Sequence, residues 1–81
     1  MQVTVTLFAR ARELAGAGQI VLELPPASRI CDLKQRLSAQ FPQLAPLAPN
    51  LLVALGNEYA GDDAAVAADA EVACFPPVSG G

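Results

Sequence analysis

A single segment of this chain can form a helix long enough to cover a sheet, and that limits the architecture more than any other feature. Residues 29 to 41 carry Ile30, Leu33, Leu37 and Phe41 at helical spacing, which places the four on one stripe. Arg29, Asp32, Lys34 and Arg36 fall on the flanks and the solvent face. Ser28 is the expected N-cap. Pro42 ends the helix, because the residue before a proline avoids helical geometry. One helix covers one face of a sheet, so a two-layer α+β arrangement is the consistent solution.

The remaining segments supply the sheet. Val3, Val5 and Leu7 alternate with Thr4, Thr6 and Phe8, the period of two that marks a strand over residues 2 to 8. Residues 9 to 15 are strong helix formers closed by Gly16, a short helix of about two turns. Residues 19 to 24 alternate again until Pro25 and Pro26 stop them. Leu51 to Leu55 reads as a buried strand, Glu58 to Ala60 as a very short one, and Glu71 to Phe75 as the last. This order predicts a β-grasp, or ubiquitin-like, roll: a mixed sheet with one main helix on one face. Its first and last strands then lie side by side at the centre. Residues 1–75 form the predicted domain, and residues 76–81 an extended Gly-Gly tail.

Composition narrows the function. Eighty-one residues with 53% hydrophobic content and 16% charged content suffice for a small core but leave little room for an internal active site. The sequence contains no His, so the commonest general base and the commonest nitrogen ligand for zinc are missing. Five basic residues against eight acidic ones give a net charge of -3, the wrong sign for nucleic acid. Cys31 and Cys74 match no metal or redox spacing and read as reduced, buried thiols. Glu58-Tyr59 and Asp62-Asp63 have no calcium-loop spacing, and no metal site is expected. Residues 37 to 57 carry no charge, but Pro42, Pro46 and Pro49 interrupt them and exclude a spanning helix. No membrane association is expected, and the expected location is cytoplasmic. A carrier or binding module fits these limits better than a self-contained enzyme.

The end of the chain carries the chemistry. Pro76 and Pro77 hold the exit from the last strand extended, and Gly80 and Gly81 remove the final side chains. Five residues beyond Pro76 reach roughly 17 Å at about 3.4 Å each. The terminal carboxylate is a chemical handle once it is activated to an acyl-adenylate. Phe8 and Phe75 end the two strands expected to be neighbours, on the face away from the helix. As an exposed pair beside the tail they would anchor a partner; as a covered pair they would belong to the monomer. Arg12 and Glu13 read either as rim contacts or as a solvated helix face.

The run Phe75-Pro76-Pro77-Val78-Ser79-Gly80-Gly81 resembles the terminal signature of the MoaD-type sulfur carriers, the small subunits of molybdopterin synthase. Leu7 to Gly16, with its Phe-Ala and Arg-Glu pairs, resembles that family's first strand and helix. Leu52 to Ala60 is a weaker third match. The resemblance implies that an E1-like enzyme adenylates the Gly81 carboxylate with ATP and that a sulfur donor protein converts it to a thiocarboxylate. The tail, Pro76, Pro77, Val78, Ser79 and Gly80, would then enter the large subunit of a heterotetrameric synthase. There Gly81 would deliver sulfur to cyclic pyranopterin monophosphate. The small subunit binds no cofactor of its own in this scheme. The alternatives are a ThiS-type carrier for thiamine thiazole synthesis, a ubiquitin-like modifier, and an interaction module with an inert tail.

Overall fold

The computed structural model describes residues 1–77. The strands are β1 (Gln2–Leu7), β2 (Gln19–Glu23), β3 (Leu52–Leu55), β4 (Glu58–Ala60) and β5 (Glu71–Phe75); the helices are α1 (Ala9–Ala15) and α2 (Ile30–Gln40). The sheet runs β2-β1-β5-β3-β4. β1 and β5 pair in parallel from Thr4 opposite Glu71 to Leu7 opposite Cys74, and the other neighbours are antiparallel. The first and last strands are therefore adjacent and central, as the element order predicts. The architecture is α+β with α2 on one face.

Alternation decides which face is covered. Val3, Val5, Leu7, Leu22, Val53, Val72 and Cys74 point inward and are buried. Ile30, Leu33 and Leu37 of α2 are completely buried in the same cluster. Phe41, the fourth residue of the predicted stripe, follows the helix end and is half-buried.

Two sets of local expectations are corrected. Ser28 does not cap α2: its hydroxyl donates to the Pro25 carbonyl at 2.7 Å. Arg29 holds the N-cap position, and its N–H donates to Asp32 Oδ2 at 2.8 Å. The next two helical N–H groups are satisfied from far along the chain, Ile30 by the Ala64 carbonyl and Cys31 by that of Asp62. A crossing backbone segment thus takes over much of the task expected of a serine side chain.

The second correction concerns charge. Lys34 is not on the solvent face; its side chain is 13% exposed and its ammonium meets Asp62 Oδ1 at 2.9 Å. Asp62 is therefore tied to α2 through both its backbone and its carboxylate, rather than simply solvated. Cys31 is also less buried than expected, while Cys74 is fully enclosed.

The uncharged stretch is a proline-interrupted connection, as the sequence predicts. Pro42–Leu44 and Ala48–Asn50 form two 3-10 turns that bury Leu44 and Ala48. With Leu51 they join the core, so this connection has apolar positions because it packs, and prolines at the starts of its turns.

Candidate functional site

The candidate site is the place where β5 releases the chain. Because β1 and β5 run parallel, they end at the same edge of the sheet. The Phe8 N–H donates to the Cys74 carbonyl at 3.3 Å, which carries the ladder one step past β1. That step sets the Phe8 ring on Phe75, with centroids 4.6 Å apart and planes 8° from parallel. Tyr59 of β4 meets Phe75 edge-on at 6.3 Å. Leu52 faces Phe75 across the β3–β5 ladder.

These four side chains form an apolar platform on the face away from α2. Phe8 is 41% exposed, Leu52 43% and Tyr59 73%, so the platform lies open in the isolated chain. Phe75 is half-buried among them. Stacking of this kind contributes about 0.5–1.5 kcal/mol beyond area burial, enough to hold the rings in place while leaving their outer surfaces wet. Pro76 is half-buried and Pro77 exposed directly beyond the platform. The predicted tail residues Val78, Ser79, Gly80 and Gly81 lie outside the described residues.

The approach to the platform is sharply bent. Ala9, immediately after Phe8, has a φ of 53°, in the left-handed region that costs a non-glycine residue roughly 1 kcal/mol or more. The turn brings α1 up beside the end of β5. On α1, Arg10 and Glu13 form an exposed pair at 3.5 Å, worth little in water. Arg12 extends over Gly18, where an added Cβ would come within 3.2 Å of its Nε. Both Arg12 and Glu13 are exposed, which is the solvated-face arrangement.

The described residues present an open apolar surface. No group of three His, Cys, Asp or Glu among them is placed to hold a metal ion. The Cys74 thiol is pushed up to about 11 by burial, a rise that the Lys34 ammonium partly opposes. At neutral pH it is protonated and is no nucleophile. No helix among the described residues is long and apolar enough to cross a membrane.

Phe8 and Phe75 are thus brought together as expected, Phe8 exposed and Phe75 half-buried. Leu52 and Tyr59 are not among the anchor residues that the sequence suggests, Tyr59 entering there only beside Glu58 as a rejected cation site. The signal for Tyr59 is positional: in a three-residue strand its neighbours Glu58 and Ala60 must share the other face, leaving Tyr59 on the platform side.

Residues 5–81 match the ThiS family. The chain belongs to the ThiS family. A molybdopterin synthase sulfur carrier subunit of Arabidopsis thaliana is 38% identical to this ThiS-family chain over 81 residues, covering all of it and 84% of the relative. A protein of the same description from Chlamydomonas reinhardtii is 36% identical over 83 residues, covering the whole of both chains. Among solved structures, small archaeal modifier protein 1 of Haloferax volcanii superposes with a TM-score of 0.85 at 26% identity, covering 95% of this chain and 98% of that one. The named relatives agree with the resemblance drawn from the Phe75–Gly81 run, and the structural neighbour with the predicted β-grasp.

Proposed function

We propose that this chain is a sulfur-carrier subunit of molybdopterin synthase, bearing its sulfur on the Gly81 carboxylate. The observation that carries the reading is the exit itself: a central strand delivers Pro76 and Pro77 beside an open platform of Phe8, Phe75, Leu52 and Tyr59. A strand paired on both sides resists being pulled, so a partner can grip the platform and draw on the tail without unravelling the domain.

The chemistry follows from the carboxylate. In an E1-like enzyme a Gly81 oxygen attacks the α-phosphorus of ATP and pyrophosphate leaves, forming the acyl-adenylate. Sulfur from a donor protein then attacks the acyl carbon and AMP departs with the electron pair of the broken C–O bond: sulfide gives the thiocarboxylate directly, whereas a persulfide gives an acyl disulfide that a second thiol reduces to the thiocarboxylate, itself ending in a disulfide with the donor. In the large subunit of the synthase that sulfur passes to cyclic pyranopterin monophosphate. This chain contributes no acid, base or bound cofactor; Gly80 and Gly81 let its backbone enter a narrow channel, and the two prolines keep the arm stiff. Catalysis in the usual sense belongs to the partner. The reading keeps the cytoplasmic setting expected from the sequence.

A second reading, conjugation to lysines as a ubiquitin-like modifier, draws support from the likeness to the archaeal modifier protein. Intact-mass analysis after incubation with the activating enzyme, ATP and a sulfur source separates the two. The carrier reading expects a mass gain equal to oxygen replaced by sulfur. Lysine conjugates in place of that gain would establish the modifier, and an unchanged mass would refute both.

A further inference from the structure

An activated C-terminus is dangerous to any protein that carries free amines, and the placement of amines here is selective. The sequence holds one lysine, Lys34, among five basic residues. The four arginines, Arg10, Arg12, Arg29 and Arg36, are all exposed, whereas Lys34 is drawn in. Its Nζ donates to Asp62 Oδ1 at 2.9 Å and to the Pro49 carbonyl at 3.4 Å, so that two of its three N–H bonds have acceptors among the described residues. The Met1 ammonium is held as well, donating to the Leu24 carbonyl at 2.6 Å. An arginine side chain is not an amine acceptor of this kind, so the exposed arginines add no such hazard.

We propose that the Lys34–Asp62 pair is a specificity device that keeps this chain from acylating itself, so that it acts as a donor of its C-terminus and not as an acceptor. The inference rests on the reading that Gly81 is activated. The step it prevents is simple. A neutral amine attacks the Gly81 acyl carbon and forms a C–N bond. The bond from acyl carbon to the adenylate oxygen breaks, AMP leaves with that electron pair, and the amine proton passes to solvent. Lys34 Nζ is held at the junction of α2 with the Asp62 turn by its bonds to Asp62 and the Pro49 carbonyl, and it would have to leave both to approach an acyl carbon.

The full chain is treated with the N-hydroxysuccinimide ester of acetic acid at neutral pH, and acetylation is followed site by site by mass spectrometry. The variant Arg10→Lys supplies an exposed reference lysine on α1. Lys34 is expected to react about tenfold more slowly than that reference, and to approach it in Asp62→Ala. Equal rates in the unaltered pair overturn the proposal. So does a Lys34 that stays slow in Asp62→Ala while that variant keeps its native circular dichroism. This arm needs no activation of Gly81, so it judges the protection separately from the proposed function. A second arm adds the E1-like enzyme and ATP. Hydroxylamine-resistant self-adducts are expected with Arg10→Lys, and none with the natural sequence or with Lys34→Arg. A Lys34-linked adduct in the natural sequence overturns the proposal.

Discussion

The two faces of the sheet are built from the same strands by the same alternation, yet they behave differently. Inward, Val3, Val5, Leu7, Val72 and Cys74 are sealed under α2. Outward, Thr4, Thr6 and Ala73 are small or polar until the last row, where an exposed Phe8 stacks on a half-buried Phe75. Burial explains the first face fully. It does not explain the second, because exposed aromatic area at a strand end adds little to folding. In the proposed function its value lies in what it meets, and its position beside Pro76 and Pro77 places it at the start of the tail.

That contrast can be broken at several points. The largest expected effect is on the inner face. Leu33→Ala or Leu37→Ala removes a fully buried side chain beneath the sheet and should lower stability by about 2–5 kcal/mol in urea unfolding. Phe75→Ala on the outer face should behave in reverse, with about 1 kcal/mol lost from stability and about tenfold or more from affinity for the large subunit. Unchanged affinity in a folded Phe75→Ala would remove the platform from the account.

A chemical difference follows at Cys74, whose thiol is raised from 9.0 to about 11 by burial. The folded state binds this proton more tightly than the unfolded state does. Stability is therefore complete below about pH 9 and falls as pH rises toward 11, by about 2–3 kcal/mol if the shift is fully expressed. Alkaline titration of the unfolding free energy should show that decline, and Cys74→Ala should remove it while lowering stability at neutral pH.

The smallest effects lie at the two ends of α1. Gly16 caps the helix at φ 76°, and its N–H donates to the Arg12 carbonyl. Gly16→Ala should cost about 1 kcal/mol. Ala9 stands in the same left-handed region without being glycine. Ala9→Gly should gain a few tenths of a kcal/mol in thermal unfolding if the relieved strain outweighs added chain entropy. The same variant should slightly weaken partner binding by loosening the turn that sets Phe8.

The legible parts of the molecule are those fixed by local pattern. Alternation in residues 2 to 8 and 71 to 75 identified β1, β5 and their faces, and hence the meeting of Phe8 with Phe75. The stripe of Ile30, Leu33 and Leu37 gave α2. What escaped was nonlocal. Ser28 has the right chemistry for a cap, but the Ala64 and Asp62 carbonyls reach the helix from another segment. Lys34 sits at a helical position that faces solvent in an isolated helix and becomes enclosed once the Asp62 turn packs there. Tyr59 joins the platform through pairing of β4 with β3, which a three-residue strand barely announces. The sulfur-bearing end of the proposed site is legible from Pro76 to Gly81 alone, and its last four residues lie outside the described residues.

The central claim is that Gly81 bears the sulfur while the domain only presents it. Deleting Gly81, or appending one residue after it, tests this with the fold left intact. After incubation with the activating enzyme, ATP and sulfur source, the account predicts native circular dichroism, retained binding to the large subunit, and no thiocarboxylate by intact mass. A thiocarboxylate formed on either variant, or sulfur transfer to the pterin substrate at the natural rate, would contradict it.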